Sequence, residues 1–208
     1  MTINNETRQK ILDIAFVLFG KYGLSGVSTA DIAREADVNK ALIFYYFGSK
    51  EDLYKAAFRT IRDRFLRRIS ILEIPDTSEI EYIKAFVHAH ITFLRETPEM
   101  VNFLIRELVE ANAESSLIMD DLADVFAATF KNLGGVVERG IKNGTIREID
   151  PVQAVISIIG LDVFFFFQKT LTDLMRLDII PDTARVEASR EDHVVELLMK
   201  DILTKGNV

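Results

Sequence analysis

Apolar residues along this 208-residue chain return every three to four positions for most of its length, the spacing of helices that bury one face. Ile11, Ala15, Leu18 and Tyr22 share such a face, and Leu12 and Phe19 widen it. Gly23 follows where a left-handed stop is expected, which predicts a helix over about 6–22. After the loop "LSGVS", Thr29 can N-cap a short helix, "ADIAREA", that turns Ile32, Ala33 and Ala36 inward. Asp37 then occupies the turn, where a short polar side chain tolerates left-handed backbone better than most. The next stretch, "ALIFYYFGSK", reads alone as a buried strand. Wound as a helix over 40–47 it acquires two sides: Ile43 and Phe47 lie on one, and Tyr45 lies almost opposite, flanked by Ala41 and Leu42. Phe44 and Tyr46 sit on the shoulders, and Val38 completes the inner set.

Ser49 and Asp52 form a capping-box pattern opening a long helix, "KEDLYKAAFRTIRDRFLRRIS", which Pro75 cannot extend past. Further helices are predicted over about 78–95, from Pro98 to near Asn112, and from near Ser116 to the Gly140–Gly144 region. Asp150-Pro151 opens a very apolar helix to about Leu174. Ser189 with Asp192 opens the last, striped by Val194, Val195, Leu198 and Ile202. No convincing strand pair appears, so the expected fold class is all-α. Three short helices with a tight turn between the second and third make a helix-turn-helix. The expected division is therefore a helix-turn-helix domain over 1–50 and a larger helical domain over 51–208.

Composition changes this picture in only a few places. Charged residues make up 27% of the chain and apolar ones 49%, which excludes a disordered chain. Cysteine is absent, which removes disulfides and thiolate zinc sites. The N-terminal stretch lacks the apolar core of a secretory signal. The run "AVISIIGLDVFFFF" is interrupted by Asp162 and falls short of the roughly 20 residues of a membrane span, so a buried helix is expected and no membrane partner. Net charge is −7, but unevenly spread: residues 1–70 carry 12 Lys/Arg against 8 Asp/Glu, and the remainder 13 against 24. Such asymmetry suits a nucleic-acid-binding part joined to something else.

In a helix-turn-helix the third helix enters the DNA major groove, about 12 Å wide. Ile43 and Phe47 would hold that helix while its outer face meets bases and phosphates. Lys40 is placed for a guanine or a phosphate, and Tyr45 and Tyr46 for the sugar-phosphate backbone. The helix start at Thr29 offers amides to a phosphate, and Lys50 can take another. The segment "ILDIAFVLFGKYGLSGVSTADIAREADVNKALIFYYFGSKEDLY" resembles the N-terminal DNA-binding domain of TetR-family transcriptional regulators. "GIKNGTIREIDP" and "EDHVVELLMKDIL" sit where that family has the turn before its dimer helices and the last of them.

The resemblance implies an all-helical, cytoplasmic homodimer that acts on two-fold double-stranded DNA, more often as repressor than activator. Its second domain would bind a small molecule that changes DNA affinity. The chain departs from the family pattern at Asp37, where Gly is frequent, and at Ala41 and Leu42, where Gly and Thr are common. Phe44 replaces a usual Tyr, and Tyr46 a frequent His. Fewer polar and more apolar DNA contacts follow, with Ala41 and Leu42 set against thymine methyls.

The middle helices supply Phe86, His90, Phe93, Phe103, Arg106, Phe126 and Phe130, an aromatic set with occasional polar heads, as small-molecule sites are built. A largely apolar or aromatic effector is expected, its acidic group, where it has one, met by Arg106 or His90. The same phenylalanines equally suit a plain core. Four consecutive phenylalanines, 164–167, cover nearly the whole helix circumference and so call for burial on all sides. Phe164, Phe165, Val194 and Leu198 are the expected dimer contacts.

His88 and His90 point about 200° apart on a helix and cannot chelate together. Asp120 and Asp124 suit an exposed acidic face, and the arginines of "RTIRDRFLRR" a solvated one. No nucleophile with base and orienter and no phosphate-cradling Gly loop is present, so neither catalysis nor a cofactor is expected. Two other readings stay open. One is a helical sensor or carrier acting through protein partners without DNA; the other is an enzyme working in the aromatic cavity.

Overall fold

The apolar spacing is realised as helix wherever a computed structural model describes the chain, at residues 2–70, 72, 78–110, 117–175 and 183–203. The described elements are α1 (Thr2–Tyr22), α2 (Thr29–Glu35), α3 (Lys40–Phe47), α4 (Lys50–Ser70), α5 (Glu79–Glu96), α6 (Pro98–Glu110), α7 (Met119–Asn143), α8 (Pro151–Met175), α9 (Thr183–Ala188) and α10 (Arg190–Ile202). Among the described residues the only β pairing is an isolated bridge between Ile146 and Leu203. The fold is all-α.

Two compact units form, each drawn from two stretches of the chain. The first comprises Met1–Phe65 and Pro98–Asp124; the second comprises Leu66–Thr97 and Val125–Val208. In the first unit, α1 packs on α2 and α6, and α2 on α3. Ile11, Leu12, Ala15, Phe16 and Phe19 of α1 are buried together with Ile32, Ile43, Leu53 and Phe58. Each large side chain so enclosed contributes about 1.5–3 kcal/mol of transfer free energy. The approach of α1 and α6 depends on Gly20, where a Cβ would stand 2.7 Å from Glu99 Cβ. Phe103 of α6 is only 1% exposed and packs against Phe16, Tyr54 and Phe58 at 5.4, 4.6 and 5.6 Å between ring centroids.

The arginines of α4 are largely engaged by carboxylates. Within the first unit, Arg59 and Arg62 both pair with buried Asp121, and Arg64 with Asp13. Arg68 pairs with Glu96 in the second unit.

In the second unit α5 packs on α8 and α10. Ile83, Phe86, Val87, Ile91 and Leu94 meet Val155, Ile158, Phe165, Phe166, Val194, Leu198 and Ile202 in its core. The short α9, which the apolar spacing does not predict, is held through Glu187, whose carboxylate takes Lys169 at 2.5 Å. Its presence also changes the start of α10. Ser189 makes no capping bond there, because its hydroxyl is turned back to the carbonyls of Arg185 and Val186. Within α8, Pro151–Thr172 is long and apolar enough to cross a membrane, which corrects the expectation of a run too short for that. The helix continues on both sides of the "AVISIIGLDVFFFF" block. Asp162 near its middle is nonetheless fully buried against protein.

Candidate functional site

The turn between α2 and α3 is built from backbone bonds that the local residues dictate. At the start of α2 the cap is Ser28, one residue before the expected Thr29. Both residues can cap, but only Ser28 stands three positions ahead of a carboxylate. Asp31 N–H donates to Ser28 Oγ at 3.1 Å, while Asp31 Oδ2 accepts from Ser28 Oγ at 2.6 Å and from Ser28 N–H at 3.2 Å. The Ser28 hydroxyl, then its amide, then Arg34 hold the Asp31 carboxyl below its ordinary value. Thr29 becomes the first helical residue, its side chain buried.

At the other end of α2, Val38 N–H reaches Ala33 O (2.9 Å) and Asp37 N–H reaches Arg34 O (3.2 Å). This Schellman pair requires left-handed backbone at Asp37, whose φ is 52°. Asn39 then caps α3, its Oδ1 accepting from Ala41 N–H at 2.8 Å. Gly48, at φ 78°, ends it.

Ile43 and Phe47 are buried, as the spacing predicts, and Arg8 lies over the Phe47 ring at 5.2 Å. Lys40 and Ala41 are exposed on the opposite side, with Phe44 at 46% and Tyr45 at 74%. Leu42 and Tyr46 are half-buried. Lys40 Nζ stands 5.7 Å from the Phe44 ring centroid, and Tyr45 and Tyr46 meet edge to face at 5.2 Å. The surface so formed is one cationic head among flat aromatic faces. It can give hydrogen bonds and stacking contact to a nucleic-acid backbone and apolar contact to thymine methyls.

Lys50, expected at a phosphate, is half-buried. Its Nζ donates to Leu24 O (2.9 Å) and Val27 O (3.2 Å), closing the loop between α1 and α2.

The residues expected around a ligand are divided between the two units. Phe103 serves the first unit's aromatic core, as above. Phe86, His90 and Phe93 are buried in the second unit, Phe86 and His90 with ring centroids 5.6 Å apart. Phe126 is exposed and Phe130 half-buried. Arg106 lies outside the described side chains. The residue missed is Asp162, 0% exposed, whose Oδ2 sits 2.9 Å from His90 Nδ1. One acid inside an otherwise apolar run was the available signal. Burial pushes its carboxyl above the ordinary value, against the opposing pull of His90 and Arg190. His88 pairs instead with Glu191 at 2.7 Å. Among the described residues no three His, Asp or Glu side chains are grouped to hold a metal.

The expected dimer contacts divide as well. Phe165, Val194 and Leu198 are spent on the chain's own core, while Phe164 is 62% exposed. With it stand exposed Val152, Ile156, Leu171 and Met175 on α8 and Leu197 on α10. Ser157, Gly160, Phe164, Arg190, Leu197 and Asp201 are among the residues lining a depression of about 470 Å³ beside this stripe.

Capped α2, a left-handed turn and an anchored α3 with a free outer face define a helix-turn-helix DNA-binding protein. Residues 11–57 match the family described as bacterial regulatory proteins, tetR family, and residues 80–198 match the tetracyclin repressor-like C-terminal domain. The chain belongs to the TetR family of helix-turn-helix transcriptional regulators.

Among its relatives, the regulator RutR of Escherichia coli K12 is 28% identical over 151 residues, 73% of this chain and 69% of that one. A TetR regulator from Chloroflexus aurantiacus has the same fold, with a TM-score of 0.75 at 20% identity, covering 98% of this chain and 100% of the other. AibR, solved with isovaleryl coenzyme A and operator DNA, aligns with a TM-score of 0.71 at 20% identity over 92% and 97%.

Proposed function

We propose that this chain is a homodimeric repressor released from a two-fold operator by a small molecule held in its second unit. The observation that carries the reading is the division of α3, buried at Ile43 and Phe47 and open at Lys40, Ala41, Phe44 and Tyr45. Lys40 and Tyr45 take phosphates or base edges, Tyr46 lies beside them, and Ala41, Leu42 and Phe44 supply apolar contact. Lys50 and Thr29 position the motif from behind.

Pairing rests on the exposed stripe of α8. Val152, Ile156, Gly160, Phe164, Leu171 and Met175 fall within about 140° of helix circumference, the width of a face made to be covered. A second copy covers it by two-fold symmetry, with Leu197 of α10 at the margin and Phe165, Val194 and Leu198 supporting from beneath. Such a dimer reads half-sites about 34–36 Å apart.

AibR, crystallised with both an acyl thioester and operator DNA, supports a ligand-responsive role for the fold. Coupling is reciprocal: an effector that disfavours the DNA-competent spacing weakens operator binding as much as operator weakens effector binding. A coupling of about 1–3 kcal/mol changes occupancy about 5–150-fold. α4, unbroken from Lys50 to Ser70, is the lever.

Electrophoretic mobility shift with DNA upstream of the chain's own gene, titrated in salt, tests this. The expected result is a sequence-selective, salt-sensitive complex that Lys40→Ala with Tyr45→Ala abolishes while the dimer persists. A complex indifferent to both substitutions overturns this reading of α3, and the absence of any sequence-selective complex favours a sensor that works without DNA.

A further inference from the structure

The second unit buries one carboxylate in an aromatic setting and leaves half of it unanswered. Asp162 projects from α8 between Leu161 and the phenylalanine run and is wholly enclosed. Its Oδ2 pairs with His90 Nδ1, but its Oδ1 has no hydrogen-bond partner among the described residues. Arg190, the nearby cation, donates Nη2 to Leu161 O and lies 5.2 Å from the Phe165 ring centroid, while its Nε, also buried, likewise has no hydrogen-bond partner among the described residues. An enclosed acceptor without a donor is costly, and more so when charged. Such a group calls for an explanation, and a ligand that supplies the missing bond is one.

We propose that Asp162 Oδ1 is the effector's polar anchor, and that the effector is an apolar, aromatic-sized molecule whose head donates a hydrogen bond, an amine or a hydroxyl. This deepens the effector-responsive reading above and rests on it. It also replaces the expectation of an acidic head met by His90. The Nδ1 of His90 is already committed to a carboxylate, and an anionic head would meet Asp162 itself. Phe86 packs against His90 and Phe165 against Arg190, so the surroundings of the pair are aromatic.

Three probes with one body and different heads test it on the full-length dimer: 3-phenylpropylamine, 3-phenylpropan-1-ol and 3-phenylpropionate. Binding is read by calorimetry, and operator affinity by fluorescence anisotropy. The amine and alcohol are expected to bind at least about tenfold tighter than the propionate. Asp162→Asn keeps an oxygen for His90 and turns an amide N–H₂ toward the ligand, so the order is expected to invert.

The double variant His90→Leu with Asp162→Leu is expected to bind all three alike and to melt above the parent. A head preference that survives in that variant marks the pair as merely structural and overturns the anchor. Tighter binding of the propionate to the parent, or no binding of any probe, also overturns it. Amine binding that leaves operator affinity untouched sinks the effector-responsive reading and keeps the anchor.

Discussion

Lys50→Met separates two tasks that a lysine beside a DNA-binding helix can have. The ammonium reaches the carbonyls of Leu24 and Val27, which bracket the loop feeding α2. Methionine keeps the length of the stem and removes both bonds. A buried hydrogen bond to a charged group is worth about 1.5–3 kcal/mol. Lys50 is half-buried, so solvent reclaims part of this, and the loss is about 1–2 kcal/mol for the pair. For a chain of this size each kcal/mol moves Tm by about 2–4 °C, so a fall of about 2–8 °C is expected by calorimetry or circular dichroism. Operator binding weakens as the loop loosens, but its dependence on salt keeps the parent slope. A phosphate contact behaves in the opposite way: Tm holds, and the slope of log K against log salt falls by about 0.9. An unmoved Tm with a reduced slope would refute the loop-closing role.

Asp37→Gly places at the left-handed C′ position of α2 the residue that adopts it freely; a gain of about 0.5–1 kcal/mol is expected in urea unfolding, with operator binding retained. Asp31, held below its ordinary carboxyl value, gives stability that is full above about pH 3.8 and is lost as pH falls through the lowered value. Ser28→Ala should flatten that acid limb in pH-dependent melting. Asp162, raised by burial, acts with the opposite sign: its protonated form favours the fold, and stability from this group drains as pH climbs through the raised value. Asp162→Asn should therefore melt higher than the parent by a margin that grows with pH in that window. Phe164→Glu, on the exposed face of α8, should leave the protomer's melting nearly unchanged and convert the dimer to monomer in sedimentation.

The boundaries of α3 and α4 are readable from residues alone because strong local signals agree there. Ser49 with Asp52 marks the start of α4, Gly48 marks the stop before it, and the two residues that anchor α3, Ile43 and Phe47, stand four apart on a single face. Ser28 and Thr29 look alike as caps until the carboxylate three residues on is counted. α9 lacks an apolar stripe of its own and is held by ion pairs of Glu187 that only the folded chain brings near. Long-range partners are equally invisible: nothing local says that Lys50 reaches back 26 residues to Leu24, or that Asp162 meets His90 across 72. Phe103 shows the same limit, since a buried aromatic in a middle helix reads alike whether it lines a pocket or fills a core.

The central claim is that the open side of α3 lies in the major groove, once per subunit. Dimethyl sulfate protection on an operator fragment tests it directly, because the reagent methylates guanine N7 in the major groove and adenine N3 in the minor groove. Protected guanines in two clusters about one helical turn apart, lost in Lys40→Ala, are the predicted result. Protection of minor-groove adenines alone, or a single unpaired cluster, would contradict it.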